Sequence, residues 1–169
     1  RKINVDKVVT HVGFIPEIPT DNQYKKLIEA VKYVAEYCQE NDQNFLFETG
    51  QETPVTLLRA IQDIGLDNLG INLDPANLLM YGKANPVDAL DVFGEYVQGV
   101  HAKDGEYPTD GRKLGMEKPI GKGRVNFPSL ISKLEALDYN GTLTIEREIS
   151  GSKQIEDIKS GKKYLEKYI

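Results

Sequence analysis

The chain alternates between two hydrophobic patterns. Short, continuous apolar runs typical of buried strands are followed by stretches whose apolar residues recur every three to four positions, as in amphipathic helices. The apolar runs predict five strands at residues 5–13, 45–48, 68–73, 97–100 and 141–145. The helical pattern predicts five helices at residues 21–39, 54–64, 86–96, 127–137 and 152–168. The order is therefore strand then helix, repeated along the chain.

This repetition is typical of a parallel sheet whose two faces are both covered. Two architectures use it, an open doubly wound sheet and a closed (βα)8 barrel. The length of 169 residues favours the open sheet, because a complete barrel needs about 250 residues. The polar residues favour the barrel, since they follow the ends of several strands rather than one switch point. We therefore expect an α/β fold, a parallel (βα) barrel of TIM type that comprises the C-terminal five βα units of eight, with residues 1–169 as a single domain.

A barrel of five units leaves two strand edges and part of the inner sheet face uncovered. Unpaired strand edges are templates for pairing with other chains. We accordingly expect either a homo-oligomer or a second chain that covers the open barrel edges, with three N-terminal units lying outside this sequence.

Four residues with metal-binding side chains stand at the ends of successive predicted strands. They are Glu48, Asp74, His101 and Glu146. Because the carboxyl ends of parallel strands meet at one rim, these side chains are expected to converge. Three converging carboxylates repel one another unless one is protonated or a cation lies between them. Any one residue alone is better explained as a strand-end cap or a salt bridge, but the set predicts one divalent metal ion.

The ligand types narrow the choice of metal. A mixture of carboxylates and imidazole suits Mn²⁺, Mg²⁺, Co²⁺ or Zn²⁺.

Strand periodicity adds two inward-facing neighbours, since residues two apart share a face. Lys103 is expected to point inward with His101, and Glu148 with Glu146. Lys103 either binds a substrate oxygen or neutralises an oxyanion, or it forms a salt bridge to Asp104 or Glu148. Glu148 is itself a candidate for substrate binding.

Two further features of the sequence allow two interpretations each. His11, at the end of the first predicted strand, lines the site or is a hydrogen-bonded core residue. The loop at 105–124 is rich in basic residues, which either grip a phosphate or carboxylate or are simply solvated. These residues are Arg112, Lys113, Lys118, Lys122 and Arg124.

Composition limits the possible partners and the location. A net charge of −5 disfavours nucleic-acid binding, which needs clustered basic residues to neutralise phosphates. No apolar run is long enough to span a membrane, so we expect no membrane partner. The single cysteine, Cys38, excludes an internal disulfide and fits a cytoplasmic location.

The strand-end segments together resemble a known family. The segments are Phe-Glu-Thr-Gly at 47–50, Leu-Asp-Pro-Ala-Asn at 73–77, Val-His-Ala-Lys-Asp-Gly at 100–105, Gly-Lys-Gly-Arg-Val-Asn-Phe at 121–127 and Thr-Ile-Glu-Arg-Glu at 144–148. They resemble the xylose-isomerase-like TIM-barrel superfamily, in particular its sugar phosphate isomerase/epimerase branch. That branch includes ketose 3-epimerases and inosose dehydratases.

The resemblance implies a function and roles for the four strand-end residues. All four would hold the metal, and Glu48 and Glu146 would also be the acid/base pair on opposite sides of the substrate carbon. The implied enzyme is a metal-dependent sugar or sugar-phosphate isomerase/epimerase. It would abstract a proton next to a carbonyl of a small-molecule sugar or sugar phosphate, through a metal-stabilised enediolate.

One position departs from the family pattern. Many members have a histidine three residues after the metal-binding aspartate, where it contacts substrate, whereas this chain has Asn77. An amide can hydrogen-bond a hydroxyl or carbonyl but cannot shuttle a proton. The departure keeps open a dehydratase or lyase that acts on a keto-sugar or keto-inositol with the same chemistry.

Two other functions remain as alternatives. An abasic-site endonuclease shares the fold but would need more histidines and a basic face than a chain with two histidines offers. A non-catalytic interaction module is the last possibility, and the four strand-end residues argue against it.

Overall fold

Parallel strands dominate the computed structural model, which describes residues 5–169. Five of them form one sheet in the order β1-β2-β3-β4-β7, so the strands of this sheet are arranged in the order in which they occur along the chain. These strands are β1 Lys7–Thr10, β2 Asn44–Glu48, β3 Leu69–Leu73, β4 Val97–Ala102 and β7 Leu143–Ile145. Every pair in this sheet is parallel. A small antiparallel hairpin, β5 Asp104–Gly105 with β6 Glu117–Lys118, follows β4 directly.

Helices connect the strands and begin where the sequence supplies a cap. They are α1 Asn22–Glu40, α2 Pro54–Ile64, α3 Pro75–Met80, α4 Pro86–Phe93, α5 Phe127–Ala136 and α6 Ser152–Leu165. The Asp21 side chain accepts a hydrogen bond from the backbone N–H of Gln23 and so caps α1. Helix α2 ends at Gly65, whose φ of 67° is the left-handed conformation that glycine adopts without strain.

The two faces of the sheet differ in chemistry. Alternate residues share a face, and one set, including Phe47, Ile71 and Val100, is buried in the core against the helices. The opposite face includes Glu48, Asn72 and Gly99, which are neighbours across strands β2, β3 and β4. The apolar core therefore lies between the sheet and the helices, while the inner face carries small or polar residues towards its C-terminal strand ends.

This arrangement is a parallel α/β half-barrel of five strands, and it confirms the predicted fold class. The structure differs from the prediction in local elements. Helix α3 was not predicted, because it is short and starts immediately after the strand-end residue Asp74. The predicted loop at 105–124 contains β6, whose pairing with β5 is tertiary and leaves no hydrophobic period in the sequence. The first strand is shorter than predicted, and the last helix ends at Leu165.

The single-domain prediction for residues 1–169 includes residues 1–4, which lie outside the described part of the chain, and it stays a prediction.

The two outer strands leave apolar surface exposed. Within residues 5–169, β1 pairs only with β2, and β7 pairs only with β4. On the β1 side, Val9 is 41% exposed and Phe14 is 53% exposed. None of the helices described in residues 5–169 combines the length and apolarity needed to cross a membrane.

Candidate functional site

The four strand-end residues come together at the C-terminal rim of the sheet. Glu48, Asp74, His101 and Glu146 each offer one ligand atom, and these atoms all lie within 4.8 Å of one another. The His101 ring nitrogen Nδ1 lies 3.2 Å from Glu48 Oε1 and 3.0 Å from Glu146 Oε2. The cluster is thus small enough for a single cation to contact all four side chains.

Asp74 connects this cluster to the start of α3. Its Oδ1 accepts a hydrogen bond of 2.9 Å from the backbone N–H of Asn77, which caps the helix. Thr49 fixes the Asp74 backbone by accepting from its N–H at 2.8 Å and donating to its carbonyl at 2.9 Å. Because one carboxylate oxygen is held by the helix, the other, Oδ2, is left for the cluster.

Several buried polar atoms of the cluster lack a hydrogen bond within residues 5–169. Among them are Asp74 Oδ2, His101 Nδ1 and Glu146 Oε2. The carboxylates beside Nδ1 are close, but they do not have the geometry of hydrogen bonds. Buried polar atoms without partners are rare and call for an explanation. A divalent cation would contact all three atoms, so these residues fit a metal ion.

The pKa values reflect the crowding of charge. Burial raises the pKa of Asp74 from its ordinary 3.8 to about 7, with Glu48 and Glu146 adding to the increase. For Glu48, burial would raise the pKa, but the contacts with His101 outweigh it and lower the pKa below its ordinary value. The Glu48 contact in turn raises the pKa of His101. A proton thus compensates part of the negative charge of the carboxylates, and a divalent cation would compensate more of it.

Lys103 supplies a fixed positive charge under the cluster. Its side chain is 2% exposed, and its Nζ lies 3.0 Å from Glu148 and 3.6 Å from both Asp74 and Glu146. Burial alone would lower the pKa of Lys103, but the carboxylates, Asp74 foremost, raise it above its ordinary value. The salt-bridge alternative for Lys103 is therefore present with Glu148, and the described ion pairs include none to Asp104.

The other predicted substrate contacts lie at the edge of the cluster. His11 Nε2 is 3.4 Å from Glu48 Oε1, and the His11 side chain is 54% exposed. The Glu148 side chain is 61% exposed. Asn77 is buried, and its amide donates a 3.1 Å hydrogen bond to the carbonyl of Thr49. That bond holds the Asn77 side chain in the strand-end framework beside the site.

Asp104 is an organising residue that the sequence reasoning missed. It is 1% exposed, and its two oxygens accept four backbone N–H bonds of 2.8–3.0 Å. The donors are Gly105, Gly121, Gly123 and Val125. A Cβ on Gly123 would collide with this carboxylate. The glycines at 121 and 123 were the available signal, since they allow such a close approach of backbone to a side chain.

The basic residues of the long loop are partly neutralised within the loop itself. Lys113 lies 3.5 Å from Asp110, and Lys118 lies 3.3 Å from Glu106. These pairs favour a solvated loop over a grip on an anionic group.

The family of the chain follows from comparison with known proteins. A family model described as "Xylose isomerase-like TIM barrel" matches residues 1–168. The chain belongs to this family, which confirms the resemblance inferred from the sequence.

Two curated relatives are longer than this chain. An uncharacterised protein of Methanocaldococcus jannaschii is 32% identical, over 99% of this chain and 58% of its own length. An inosose dehydratase of Geobacillus kaustophilus is 26% identical, over 76% of this chain and 47% of its own length. The chain thus spans about half the length of these curated relatives.

Solved structures show the same fold. A xylose isomerase domain protein from Planctomyces limnophilus is 32% identical, with a TM-score of 0.88 over 96% of this chain and 58% of its own. Two more distant structures share the fold. One, from Mycobacterium smegmatis in complex with magnesium, is 20% identical with a TM-score of 0.66, over 88% of this chain and 51% of its own. The other, a D-psicose 3-epimerase from Clostridium cellulolyticum with D-tagatose, is 16% identical with a TM-score of 0.68, over 88% and 57%.

Proposed function

We propose that Glu48, Asp74, His101 and Glu146 bind one divalent metal ion in a sugar or sugar-phosphate isomerase/epimerase. The observation that carries the proposal is the set of buried, unpartnered atoms on Asp74, His101 and Glu146, within reach of Glu48. The donor set suits Mn²⁺, Mg²⁺, Co²⁺ or Zn²⁺. The magnesium in the Mycobacterium smegmatis relative supports an ion of this class.

A bound metal would act as a Lewis acid that stabilises the negative charge of an enediolate. The proton chemistry belongs to Glu48 and Glu146, which face each other across His101 Nδ1. Glu48 is 11% exposed and its lowered pKa keeps it ionised, as a base next to a carbonyl must be. Glu146 enters the step protonated and gives its proton to the opposite side of the carbon, so that Glu48 ends protonated and Glu146 ionised.

Four side chains around the cluster are assigned to substrate binding. Lys103 and Glu148 form one wall of the site, and Lys103 brings a positive charge to an oxygen that becomes negative. His11 approaches from the β1 side, where it contacts Glu48. Asn77 holds the strand-end framework on the α3 side and offers its amide to a hydroxyl.

A second chain or further strands would complete the substrate pocket. A groove of about 390 Å³ beside β1 is lined mainly by apolar residues, including Val12, Val31 and Phe45. Such a surface fits another βα unit or a second copy of the chain. The small-molecule substrate itself is a sugar or sugar phosphate, with neither nucleic acid nor a membrane involved.

The runner-up function is a dehydratase of a keto-sugar or keto-inositol. Two observations favour it. Asn77 stands where a histidine could have moved a proton, and the Geobacillus kaustophilus relative is an inosose dehydratase.

The metal centre is tested first, with Mn²⁺ as the probe. Purified chain freed of metal should bind one Mn²⁺ in a calorimetric titration, and His101→Gln should weaken binding at least about tenfold. Glu135→Gln, a change to a helix surface away from the site, is the matched control and should bind as the wild type does. Absence of Mn²⁺ binding by the folded wild type would overturn the proposal.

The reaction is tested separately by solvent-deuterium exchange. Metal-loaded protein, in the assembled form that completes the substrate pocket, is incubated in D₂O with a panel of ketoses, ketose phosphates and keto-inositols, and the products are followed by NMR. Deuterium incorporation without loss of water supports the isomerase/epimerase. A dehydrated product supports the runner-up instead, and a metal-loaded protein that exchanges none of the panel contradicts both.

A further inference from the structure

The end of β7 has little support from the sheet itself. The strand has only three residues and a single neighbour, β4, within the described chain. The last ladder contact runs from the Glu146 N–H to the carbonyl of Ala102 at 3.2 Å. The segment that carries Glu146 and Glu148 therefore needs another anchor to keep its carboxylates in place.

Arg147 lies between these two carboxylates and faces the other way. Its Nη1 is 3.0 Å from Glu117 Oε2 on β6, and its Nε donates to Asp157 Oδ2 of α6, also at 3.0 Å. The side chains of Arg147, Glu117 and Asp157 are only 12%, 13% and 5% exposed. Two carboxylates that contact the guanidinium at two positions fix its orientation. Because the three side chains are nearly buried, water weakens these ion pairs little.

The same network also holds the peptide unit between Arg147 and Glu148. The Glu117 carboxylate accepts the N–H of Glu148 at 3.0 and 3.2 Å. The side chain of Gln154, on α6, donates to the carbonyl of Arg147 at 2.9 Å. These bonds fix the peptide unit from which Glu148 extends, and the ion pairs of the Arg147 side chain hold the residue that directly follows Glu146.

The network also links the β7 end to the β4 end of the site. Glu117 belongs to the hairpin that starts at Asp104, directly after Lys103. We infer that Arg147, through Glu117 and Asp157, is a positioning residue that aims Glu146 at the metal and Glu148 at Lys103. This inference rests on the proposed metal centre.

The test measures Mn²⁺ affinity, which a purely stabilising ion pair would leave unchanged. Free Mn²⁺ is measured by electron paramagnetic resonance during titration of the metal-free wild type, Arg147→Met, Arg147→Lys and Glu117→Gln. Circular dichroism verifies that each variant is folded. Asp91→Asn is the matched control, because it removes an ion pair to Lys133 on α5, away from the site.

We expect Arg147→Met and Glu117→Gln to bind Mn²⁺ about tenfold to a hundredfold more weakly, as when partners that orient metal ligands are removed. Arg147→Lys keeps one ion pair and should recover part of the loss. Asp91→Asn should stay within about twofold of the wild type.

Two outcomes overturn the inference, and they are distinguishable. Folded Arg147→Met and Glu117→Gln that bind Mn²⁺ like the wild type would refute the positioning role alone. A wild type that binds no Mn²⁺ would remove the metal centre and the inference with it. If Arg147→Met does not fold, Glu117→Gln decides, because it leaves the Arg147–Asp157 pair in place.

Discussion

At the scale of single residues, Asp74 is a carboxylate that is fully buried at the proposed metal site. One of its oxygens caps α3, and the other is buried without a hydrogen-bond partner in the described chain. The local backbone is fixed by Thr49. The cost of this arrangement is a carboxylate that prefers to be protonated until a cation arrives.

The raised pKa of Asp74 predicts how the stability of the metal-free protein depends on pH. The folded state keeps the proton up to pH about 7, whereas the unfolded chain loses it near the ordinary 3.8. Between these values the folded state binds more protons, so the free energy of unfolding falls as the pH rises. The total fall from this residue is about 4 kcal/mol.

Urea unfolding of metal-free protein between pH 4 and pH 8, in chelator, measures this contribution (the interval brackets the two pKa values). Asp74→Asn keeps the oxygen that caps α3 but has no titrating group, so its stability should fall less over the interval. Saturating Mn²⁺ should remove the fall for the wild type. Parallel curves for the two proteins would contradict the prediction.

The Lys103 side chain is predicted to serve substrate binding rather than metal binding. Lys103→Met removes a buried charge next to three carboxylates. Because a partner of buried charges is lost, the metal-free protein should lose about 3 kcal/mol of stability. Mn²⁺ should bind at least as tightly, since a competing cation has gone.

Calorimetric titration and urea unfolding measure both effects of Lys103→Met. Lys133→Met is the control, because Lys133 pairs with Asp91, whose side chain is 70% exposed, and its loss should change neither quantity much. Weaker Mn²⁺ binding by folded Lys103→Met would show that Lys103 supports the metal ligands rather than the substrate.

At the scale of elements, the turn before α5 depends on one carboxylate. Asp104 receives four backbone N–H groups, and three of them belong to residues 121–125. Within residues 5–169, these N–H groups donate to the Asp104 carboxylate rather than to the backbone of a strand or helix. The side chain therefore acts as a substitute for secondary structure, and it holds the loop against the end of β4.

Replacing the Asp104 carboxylate by an amide of nearly the same size should lower the free energy of unfolding substantially. Asp104→Asn presents an NH₂ group to backbone donors and leaves at least one of them unsatisfied, at a cost of about 3 kcal/mol. Urea unfolding measures the loss. Asp110→Asn, a 50%-exposed aspartate of the same long loop, should change stability by less than about 0.5 kcal/mol. Equal effects of the two changes would contradict the assignment.

At the scale of the whole molecule, the half-barrel has two strand edges that nothing in residues 5–169 pairs. The relatives extend well beyond the matched region, since the chain covers 58% of the Methanocaldococcus jannaschii protein. On its own, the chain presents the β1 edge and its apolar groove to solvent. Such edges promote association.

The isolated chain should therefore associate in a concentration-dependent manner through β1. Val9, which is 41% exposed on this edge strand, is the residue to change. Val9→Lys puts a charge where a partner strand would pack and should shift the chain toward monomer in light scattering after size exclusion. Val55→Lys, at a 55%-exposed position of α2, should leave the association unchanged.

A wild-type chain that stays monomeric at all concentrations would contradict this role of the β1 edge.

Much of this protein was determined by the sequence alone. The alternation of apolar runs and helical periods predicted the parallel α/β half-barrel, because each pattern follows from the burial of one element. The positions of Glu48, Asp74, His101 and Glu146 after strands predicted their convergence, since parallel strand ends share a rim. Their roles as metal ligands, and those of Glu48 and Glu146 in catalysis, stay predictions.

Only the tertiary structure decided which groups neutralise which charges. The sequence allowed Lys103 to pair with Asp104 or Glu148. In the structure Lys103 pairs with Glu148, whereas the Asp104 carboxylate accepts hydrogen bonds from four backbone N–H groups. The Arg147–Glu117 contact joins residues 30 positions apart through a two-residue hairpin strand too short to leave a periodic signal. Such contacts depend on distances between elements, and a one-dimensional pattern contains no information on those distances.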